Sequence, residues 1–379
     1  MRIICAPDSF KESMTALEAS AAMARGVHRV APTAECVQLP MADGGEGTCR
    51  TLVAALGGEL RAAAVHDGLG RPIIAEFGLV PSDRMAIIEV AGAYGLELLT
   101  PSERNPLVTT TRGVGELVRA TLDAGARHLV IGLGGTATND AGTGLLSALG
   151  VRFLDSSGAE LPAGGAALLD LDEVRFDGID QRLRDCRIEI ACDVTNPLLG
   201  ETGASTVFGP QKGARPDDVA LLDRALTHWA EVVEAATGVP VRELAGAGAA
   251  GGLGAAFLTS TSAILVPGVE LVMRSVRFDE QAAAADYVFT GEGSVDAQSC
   301  AGKVPWGVAK AAGKLGVSTV VFGGRVDDAI ASETHGPVLA YGPIVRGITD
   351  LPTALHDGQA NLELATAMAC QLMLAAPER

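Results

Sequence analysis

The stretch Arg127–Gly144, RHLVIGLGGTATNDAGTG, joins an apolar run to a loop of small and polar residues. The first five residues are typical of a buried strand. The loop 132–144 that follows holds five glycines, three threonines, one asparagine and one aspartate. Two interpretations are open: a tight turn, or a loop whose backbone must lie close to a charged group. Ligand-binding loops in parallel sheets follow the carboxyl ends of strands, which favours the second.

The same pattern of a short aliphatic run followed by a polar, glycine-rich loop recurs along the chain. The predicted strands are Arg2–Ala6, Cys36–Leu39, Leu129–Leu133, Arg187–Ala191, Tyr287–Phe289 and Thr319–Phe322. The predicted helices between them are Ala16–Arg29, Thr48–Leu56, Gly115–Ala124, Asp217–Ala236, Val304–Leu315 and Leu362–Leu374. Alternation of strand and crossover helix predicts an α/β fold with parallel strands.

A different pattern begins near Gly57. The segment Val65–Ile74 reads as a β-hairpin around an Asp-Gly turn, which indicates a change of topology. Strand–helix alternation returns after Asp286. We therefore predict one α/β domain from residues 1–60 and 285–379, and an inserted mixed α/β domain from residues 61–284.

Composition excludes several functional classes. The 379 residues carry a formal net charge of −17, which disfavours partners such as nucleic acid or anionic membranes. A phosphate ligand is still compatible, because backbone N–H groups, a few cations and Mg²⁺ can hold it. Seven cysteines without a CxxC pair support neither a disulfide framework nor a zinc site. The N-terminus lacks a signal-peptide pattern and no apolar stretch is long enough to span a bilayer, so we expect a cytoplasmic location.

Known catalytic motifs are scarce. Gly246–Gly251 matches GxGxxG, but Pro240 and two charges make the preceding residues a poor strand, so close packing or a helix start is favoured over dinucleotide binding. The sequence contains no Walker loop, protein-kinase motif set, HExxH or GxSxG, and its six histidines lack ligand spacing.

What remains is a set of acidic, glycine-rich loops after the predicted strands. Parallel strands would bring these loops to one end of their sheets, where several carboxylates repel one another unless a cation compensates. Mg²⁺ together with a phosphate supplies that compensation, and glycines let backbone N–H groups approach phosphate oxygens. The residues alone thus predict a Mg²⁺-dependent phosphate-handling enzyme.

Seven of these blocks together resemble the signature segments of bacterial glycerate kinases of the type-one, two-domain class. The blocks are APDSFKES (6–13), PMADGGEGT (40–48), GLGGTATNDAGTG (132–144), ACDVTNPLLG (191–200), FGPQKGA (208–214), GAGAAGGLG (246–254) and TGEGSVDAQSCAGKVPWGVA (290–309). They occur in one order from Met1 to about Gly342. Departures such as Thr136, Cys300 and Trp306 remove no charged group.

The resemblance implies ATP-dependent phosphorylation of D-glycerate, most often on the 2-hydroxyl, giving 2-phosphoglycerate. It also implies a flavodoxin-like domain built from both termini, an inserted domain of restriction-enzyme-like topology, and an active site in the cleft between the two. The partners expected are D-glycerate and ATP with Mg²⁺. A homodimer is an open alternative.

Individual roles are predicted from loop position and charge. Asp193 and Asp296 are candidate Mg²⁺ ligands or bases, and Lys11 is a candidate catalytic cation. The residues predicted to hold the nucleotide and metal are Asp43, Gly44, Gly45, Glu46, Gly47, Gly134, Gly135, Thr136, Asn139, Gly291, Glu292, Gly293 and Lys303. Those predicted to bind the substrate are Asp8, Ser9, Lys11, Arg71 and Arg325.

Three alternatives stay open at this point. Transfer could go to the 3-hydroxyl or to another small hydroxy acid. An oxidoreductase would need nicotinamide binding at Gly246–Gly251, which is much less favoured. A non-catalytic binder would need no cluster of carboxylates with lysines.

Overall fold

The computed structural model describes residues 1–296, 299, 303–331 and 336–375. The chain divides into two compact units. The first consists of Met1–Asp43, Ala54–Leu56 and Val269–Arg379, and the second of Gly44–Val53 and Gly57–Gly268. The return to the first unit comes after Gly268, earlier than the predicted position 284, so residues 269–284 belong to the unit built from both chain ends.

The six predicted strands and the predicted hairpin are present close to their expected positions, and five further strands were not predicted. The strands are β1 Arg2–Cys5, β2 Glu35–Gln38, β3 Glu59–His66, β4 Pro72–Val80, β5 Met85–Glu89, β6 His128–Gly132, β7 Arg152–Leu154, β8 Glu173–Arg175, β9 Arg187–Ala191, β10 Ile264–Val266, β11 Tyr287–Val295, β12 Ser318–Val326 and β13 Val338–Pro343. Those that were not predicted are β5, β7, β8, β10 and β13. β11 and β12 extend several residues beyond the predicted runs. Their C-terminal halves remain paired with each other, from Gly291↔Phe322 to Val295↔Val326, although these residues are less apolar.

The helices separate these strands. They are α1 Ala16–Val30, α2 Thr48–Leu56, α3 Ala91–Tyr94, α4 Arg112–Asp123, α5 Thr143–Ala148, α6 Ala204–Phe208, α7 Pro216–Thr237, α8 Ala249–Ser260, α9 Gly268–Ser275, α10 Phe278–Ala282, α11 Val304–Lys314, α12 Asp328–Ala331, α13 Leu351–His356 and α14 Gly358–Ala375. Among the described residues, no helix combines the length and apolarity needed to cross a membrane.

The first unit is a five-stranded parallel sheet in the order β13-β12-β11-β1-β2. Helices α1 and α14 pack together over one face, where Met23 and Val27 join Ile3 and Phe289 in the core. On the other face Ala309 of α11 packs against Val321. A capping box between Thr15 and Glu18 starts α1, and its apolar stripe then follows helical spacing.

The second unit contains a mixed six-stranded sheet in the order β10-β9-β6-β5-β4-β3. The strands from β10 to β5 are parallel, whereas β3 and β4 form the predicted antiparallel hairpin. Its core joins strand residues such as Ile88 and Ile131 to Leu117 of α4 and the fully buried Trp229 of α7. β7 and β8 form a separate two-stranded antiparallel sheet.

The GxGxxG match at Gly246–Gly251 is a packing loop. It follows a short 3₁₀ turn, Val241–Glu243, and opens α8. A Cβ at Gly248 would lie 2.2 Å from the Pro197 carbonyl oxygen, and one at Gly251 would lie 2.0 Å from that of Thr138. Close backbone approach, the alternative favoured over dinucleotide binding, therefore explains these glycines.

Gly251→Ala should destabilise the second unit strongly. Gly251 has a φ of +69° and no space for a Cβ, so the variant combines left-handed strain with a backbone clash. We expect a loss on the order of 3 kcal/mol or more in the free energy of unfolding measured with urea.

Gly238→Ala is the matched control, because its φ of +73° is similar and nothing lies within 4 Å of its added Cβ. That variant should lose only about 1 kcal/mol. Equal losses at the two positions would show that backbone contact at Gly251 is unimportant.

Candidate active site

The acidic loops of the first unit meet at the carboxyl ends of β1, β2 and β11. The loop after β1 is bound to its neighbours on both sides: the Asp8 N–H donates to the Gly291 carbonyl at 2.9 Å, and the Met41 N–H donates to the Pro7 carbonyl at 2.9 Å. These bonds place Asp8, Asp43 and Glu292 close enough for their charges to interact. Strand order reverses between β1 and β11, since β2 lies on one side of β1 and the later strands on the other. Such reversal points are where open α/β sheets bind ligands.

Asp8 has an unusual protonation equilibrium. Burial raises the pKa of its carboxyl from 3.8 to about 7, with the charges of Asp43 and Glu292 adding to the effect. The Ser9 N–H donates to Asp8 Oδ1 at 2.6 Å and opposes the shift. Asp8 therefore changes protonation state close to neutral pH, which suits a residue that accepts a proton.

Glu292 lies in the middle of the acidic group, on β11, with only 8% of its surface exposed. Burial raises the pKa of its carboxyl, whereas hydrogen bonding to Ser299 and the nearby Lys303 ammonium lower it. Asp296 lies at the end of the same strand, where its Oδ1 accepts from the Ser299 N–H at 3.2 Å. The predicted Asp43, Glu292, Asp296 and Lys303 are thus neighbours.

This acidic group fits a divalent cation. Within the part of the chain that the structure describes, Glu292 Oε1 is buried without a hydrogen-bond partner, and carboxylate oxygens are the type of ligand that Mg²⁺ takes in proteins. No group of three or more His, Cys, Asp or Glu among those residues could hold a metal by itself. Mg²⁺ commonly takes only one or two carboxylates and completes its octahedron with phosphate and water.

The glycine-rich loop 44–47 belongs to the second unit and lies against the ends of β6 and β9. A Cβ at Gly44 would be 2.3 Å from that of Ala191, and one at Gly132 would be 2.3 Å from the Gly44 carbonyl oxygen. Glu89, at the end of β5, accepts from the Cys49 N–H at 2.6 Å and also from Gly47. An internal carboxylate therefore occupies the start of α2, so fewer of this loop's N–H groups are available for phosphate than predicted.

The opening loop 132–144 is exposed only at Gly134 and Gly135 and is buried from Thr136 to Gly142. The fully buried Asp140 carboxylate accepts hydrogen bonds from the Thr111 N–H and hydroxyl, both at 2.9 Å, and from the Gly142 N–H at 3.1 Å. Asn139 is also fully buried and donates to the Ser205 hydroxyl at 3.0 Å. Burial of Thr136 and Asn139 favours a packing role over the nucleotide contact predicted for them.

Four further charged residues were predicted for the site: Lys11, Arg325, Asp193 and Arg71. Lys11 and Arg325 are exposed in the first unit, where Arg325 pairs in register with Ser294 beside Glu292. Asp193 is exposed in the second unit, and its Oδ1 accepts from the Gly268 N–H at 2.8 Å. Arg71 differs from the prediction: its guanidinium is bound to Asp67 at 2.6 Å and to Glu103 at 2.7 Å, so its charge already stabilises the hairpin.

Two charged residues were missed by sequence reasoning. Glu89 ends an apolar strand, MAIIE, which is the same signal that marked the other loops. Lys212 lies within FGPQKGA and is 2% exposed, and nothing in the local sequence indicates that it is buried. Neither residue belongs to a glycine-rich loop, but each is hydrogen-bonded to one: Glu89 accepts from Gly47, and Lys212 donates to the Thr138 carbonyl.

Asp8→Asn should stabilise the protein in a pH-dependent way. Because the folded-state pKa of Asp8 is about 7 and the unfolded one about 3.8, stability falls as pH rises between these values. The variant has no such loss, so its advantage in thermal unfolding should be near zero at pH 4 and on the order of 4 kcal/mol at pH 8.

Asp350→Asn is a control of opposite sign, because hydrogen bonds from Thr353 lower the pKa of Asp350. That variant should be less stable than the wild type by an amount that is constant above about pH 4 and shrinks as pH falls below it. If the advantage of Asp8→Asn does not change with pH, Asp8 is not perturbed by burial.

Comparison with known proteins identifies the family. The sequence profile of the glycerate kinase family matches residues 3–374. The glycerate kinase of Bacillus subtilis (strain 168) is 48% identical over 364 residues, covering 96% of this chain and 95% of the relative. The glycerate 2-kinase of Escherichia coli (strain K12) is 45% identical over 363 residues, covering 96% and 95%.

A solved structure agrees with the sequence relatives. The crystal structure of a candidate glycerate kinase 2 from Salmonella typhimurium LT2 superposes with a TM-score of 0.92 at 42% identity, covering 99% of this chain and 98% of that one. The mixed α/β architecture, with one parallel and one mixed sheet, is thus that of a solved relative. The match along nearly the whole chain confirms the resemblance found in the sequence, and this protein belongs to the glycerate kinase family.

Proposed function

We propose that this chain transfers the γ-phosphoryl group of ATP to the 2-hydroxyl of D-glycerate, giving 2-phosphoglycerate and ADP. The observation that carries the proposal is the family match over residues 3–374, with close relatives described as glycerate kinase and glycerate 2-kinase. The acidic group of Asp8, Asp43, Glu292 and Asp296, with Lys303 beside it, supports phosphoryl-transfer chemistry. Transfer to the 3-hydroxyl is the alternative outcome.

In the proposed reaction the substrate hydroxyl oxygen attacks the γ-phosphorus. The bond between that phosphorus and the β,γ-bridging oxygen breaks, ADP leaves, and the hydroxyl proton passes to a carboxylate. Asp193 and Asp296 are the leading candidates for this acceptor or for metal ligation, and Asp8 gains weight from its titration near neutral pH. Such transfer depends mainly on alignment and charge neutralisation.

We assign the exposed glycine backbone to the nucleotide. Gly134 and Gly135 are exposed at the end of β6, and Gly45 is half-buried in the neighbouring loop. Their N–H groups would hold phosphate oxygens, and Lys303 would offset phosphate charge. Mg²⁺ held by Asp296 or Glu292 would neutralise the β- and γ-phosphates.

We propose that Lys11 or Arg325 binds the carboxylate of glycerate, and that Asp8 and Ser9 bind the hydroxyl groups of glycerate. Lys11 and Arg325 are exposed, whereas Arg71 already has two carboxylate partners. The strand order β2-β1-β11-β12-β13 supports a flavodoxin-like description of the first unit. The restriction-enzyme-like description of the second unit, the domain limits and a cytoplasmic homodimer stay proposals.

The reaction itself is tested by product analysis. Purified protein with ATP, Mg²⁺ and D-glycerate should form one equivalent each of ADP and 2-phosphoglycerate, identified by phosphorus NMR against both phosphoglycerate standards. Chelation of the metal with EDTA should abolish turnover, and added Mg²⁺ should restore it. Formation of 3-phosphoglycerate would overturn the regiochemistry, and no transfer to glycerate would overturn the function.

The acidic residues are tested by Asp193→Asn and Asp296→Asn. Each removes a charge with little change of shape, so turnover should fall on the order of 10²-fold or more while the protein stays folded. Asp217→Asn, at an exposed position in the first turn of α7, is the matched control and should keep full activity. Near-normal turnover of both site variants would refute these roles.

A further inference from the structure

Lys212 is a buried cation that the proposed chemistry does not use. It is the only lysine between Glu12 and Gly302, in a chain in which 24 of the 29 basic residues are arginine. Only 2% of its surface is exposed. A buried ammonium costs several kcal/mol unless hydrogen bonds and opposite charge compensate, so its presence requires a specific partner.

That partner is the opening loop. Lys212 Nζ donates to the Thr138 carbonyl oxygen at 2.7 Å, and the charge of the Asp140 carboxylate favours the protonated lysine. Burial lowers the pKa of Lys212 to about 7, and Asp140 opposes that shift. The ammonium group of lysine is compact, whereas the guanidinium group of arginine is planar, is larger and carries five N–H donors.

Other contacts hold the loop around Thr138. The Leu96 N–H donates to the Gly135 carbonyl at 2.9 Å, and the Ala137 N–H donates to the Tyr94 carbonyl at 3.2 Å. The Ala141 N–H donates to the Gly251 carbonyl at 3.1 Å. Thr138 lies between these points, and its carbonyl is fixed by a side chain from a segment more than 70 residues away in the sequence.

We propose that Lys212 is a positioning residue for the nucleotide site, holding the Thr138 carbonyl so that Gly134 and Gly135 keep the backbone orientation that binds ATP phosphate. The inference rests on the proposed function, because it assigns those two glycines to ATP. Lys212 itself is buried and does not contact substrate.

Lys212→Met tests the proposal, since methionine keeps most of the stem and removes the donor and the charge. We expect the KM for ATP to rise on the order of 10-fold, with the KM for D-glycerate within about twofold of the wild type. Lys212→Arg, which restores a cationic donor, should recover part of the loss. Lys310→Met, at an exposed position of α11, is the matched control and should behave as the wild type.

Two readouts separate positioning from simple destabilisation. A variant that only unfolds more easily loses active fraction, which lowers kcat and leaves both KM values unchanged. Amide hydrogen exchange in a peptide covering residues 132–144 should accelerate in Lys212→Met, while exchange in α7 should stay as in the wild type. An unchanged KM for ATP, or unchanged exchange in the loop, would overturn the proposal.

The remaining outcomes are also decisive. If Lys212→Met does not fold, Lys212→Gln takes its place, because it keeps a polar group in the buried site while removing the charge and shortening the stem. A wild-type KM for ATP in that variant together with wild-type loop exchange would refute the positioning role. If the wild-type protein does not phosphorylate glycerate, the proposed function fails. Binding of ADP, measured by calorimetry on the same variants, then tests Lys212 independently: weaker binding supports its role, and unchanged binding refutes it.

Discussion

Parallel pairing of β1 with β2 on one side and β11 on the other is the constraint on which the first unit depends. Parallel strands end at the same edge of a sheet, so the loops that follow them must share that edge. Two backbone hydrogen bonds, Asp8 N–H to the Gly291 carbonyl and Met41 N–H to the Pro7 carbonyl, then fix the loops together. Carboxylates that would avoid one another in a free chain are held close, and burial of Asp8, together with the charges of Asp43 and Glu292, raises its pKa.

Several glycines of the second unit serve close packing rather than the phosphate binding that the sequence predicts. At Gly132 and Gly251 the missing Cβ lets one backbone lie against another, and at Gly44 it leaves room for the methyl group of Ala191. The loop 132–144 is therefore mostly a packed element, fastened by Asp140 and by contacts from distant segments, and exposes only two glycines. Because the loop is already ordered in the folded protein, its backbone N–H groups lose little conformational entropy when a ligand binds.

Several charged groups of the second unit are compensated by partners within the fold. Arg71 is used by Asp67 and Glu103, and Glu89 accepts from the N–H groups at the start of α2. The acidic group around Glu292 differs, since Lys303 is the cation that lowers its pKa while Asp43 and Asp296 raise it. In this imbalance the acidic group differs from carboxylates such as Asp67 and Glu103, which have a cationic partner within the fold.

The sequence by itself determined the main strands and helices, because buried parallel strands must be aliphatic and amphipathic helices must repeat their apolar face. It also determined the family, through seven blocks in one order, and the loops that carry Asp8, Asp43 and Glu292. Only the tertiary structure decided which polar residues are buried or already paired: Asn139 against Ser205, Arg71 against two carboxylates, and Lys212 against the Thr138 carbonyl. Except for Asp67, which lies four residues before Arg71, their partners come from distant segments, and local pattern carries no information about pairing over such separations.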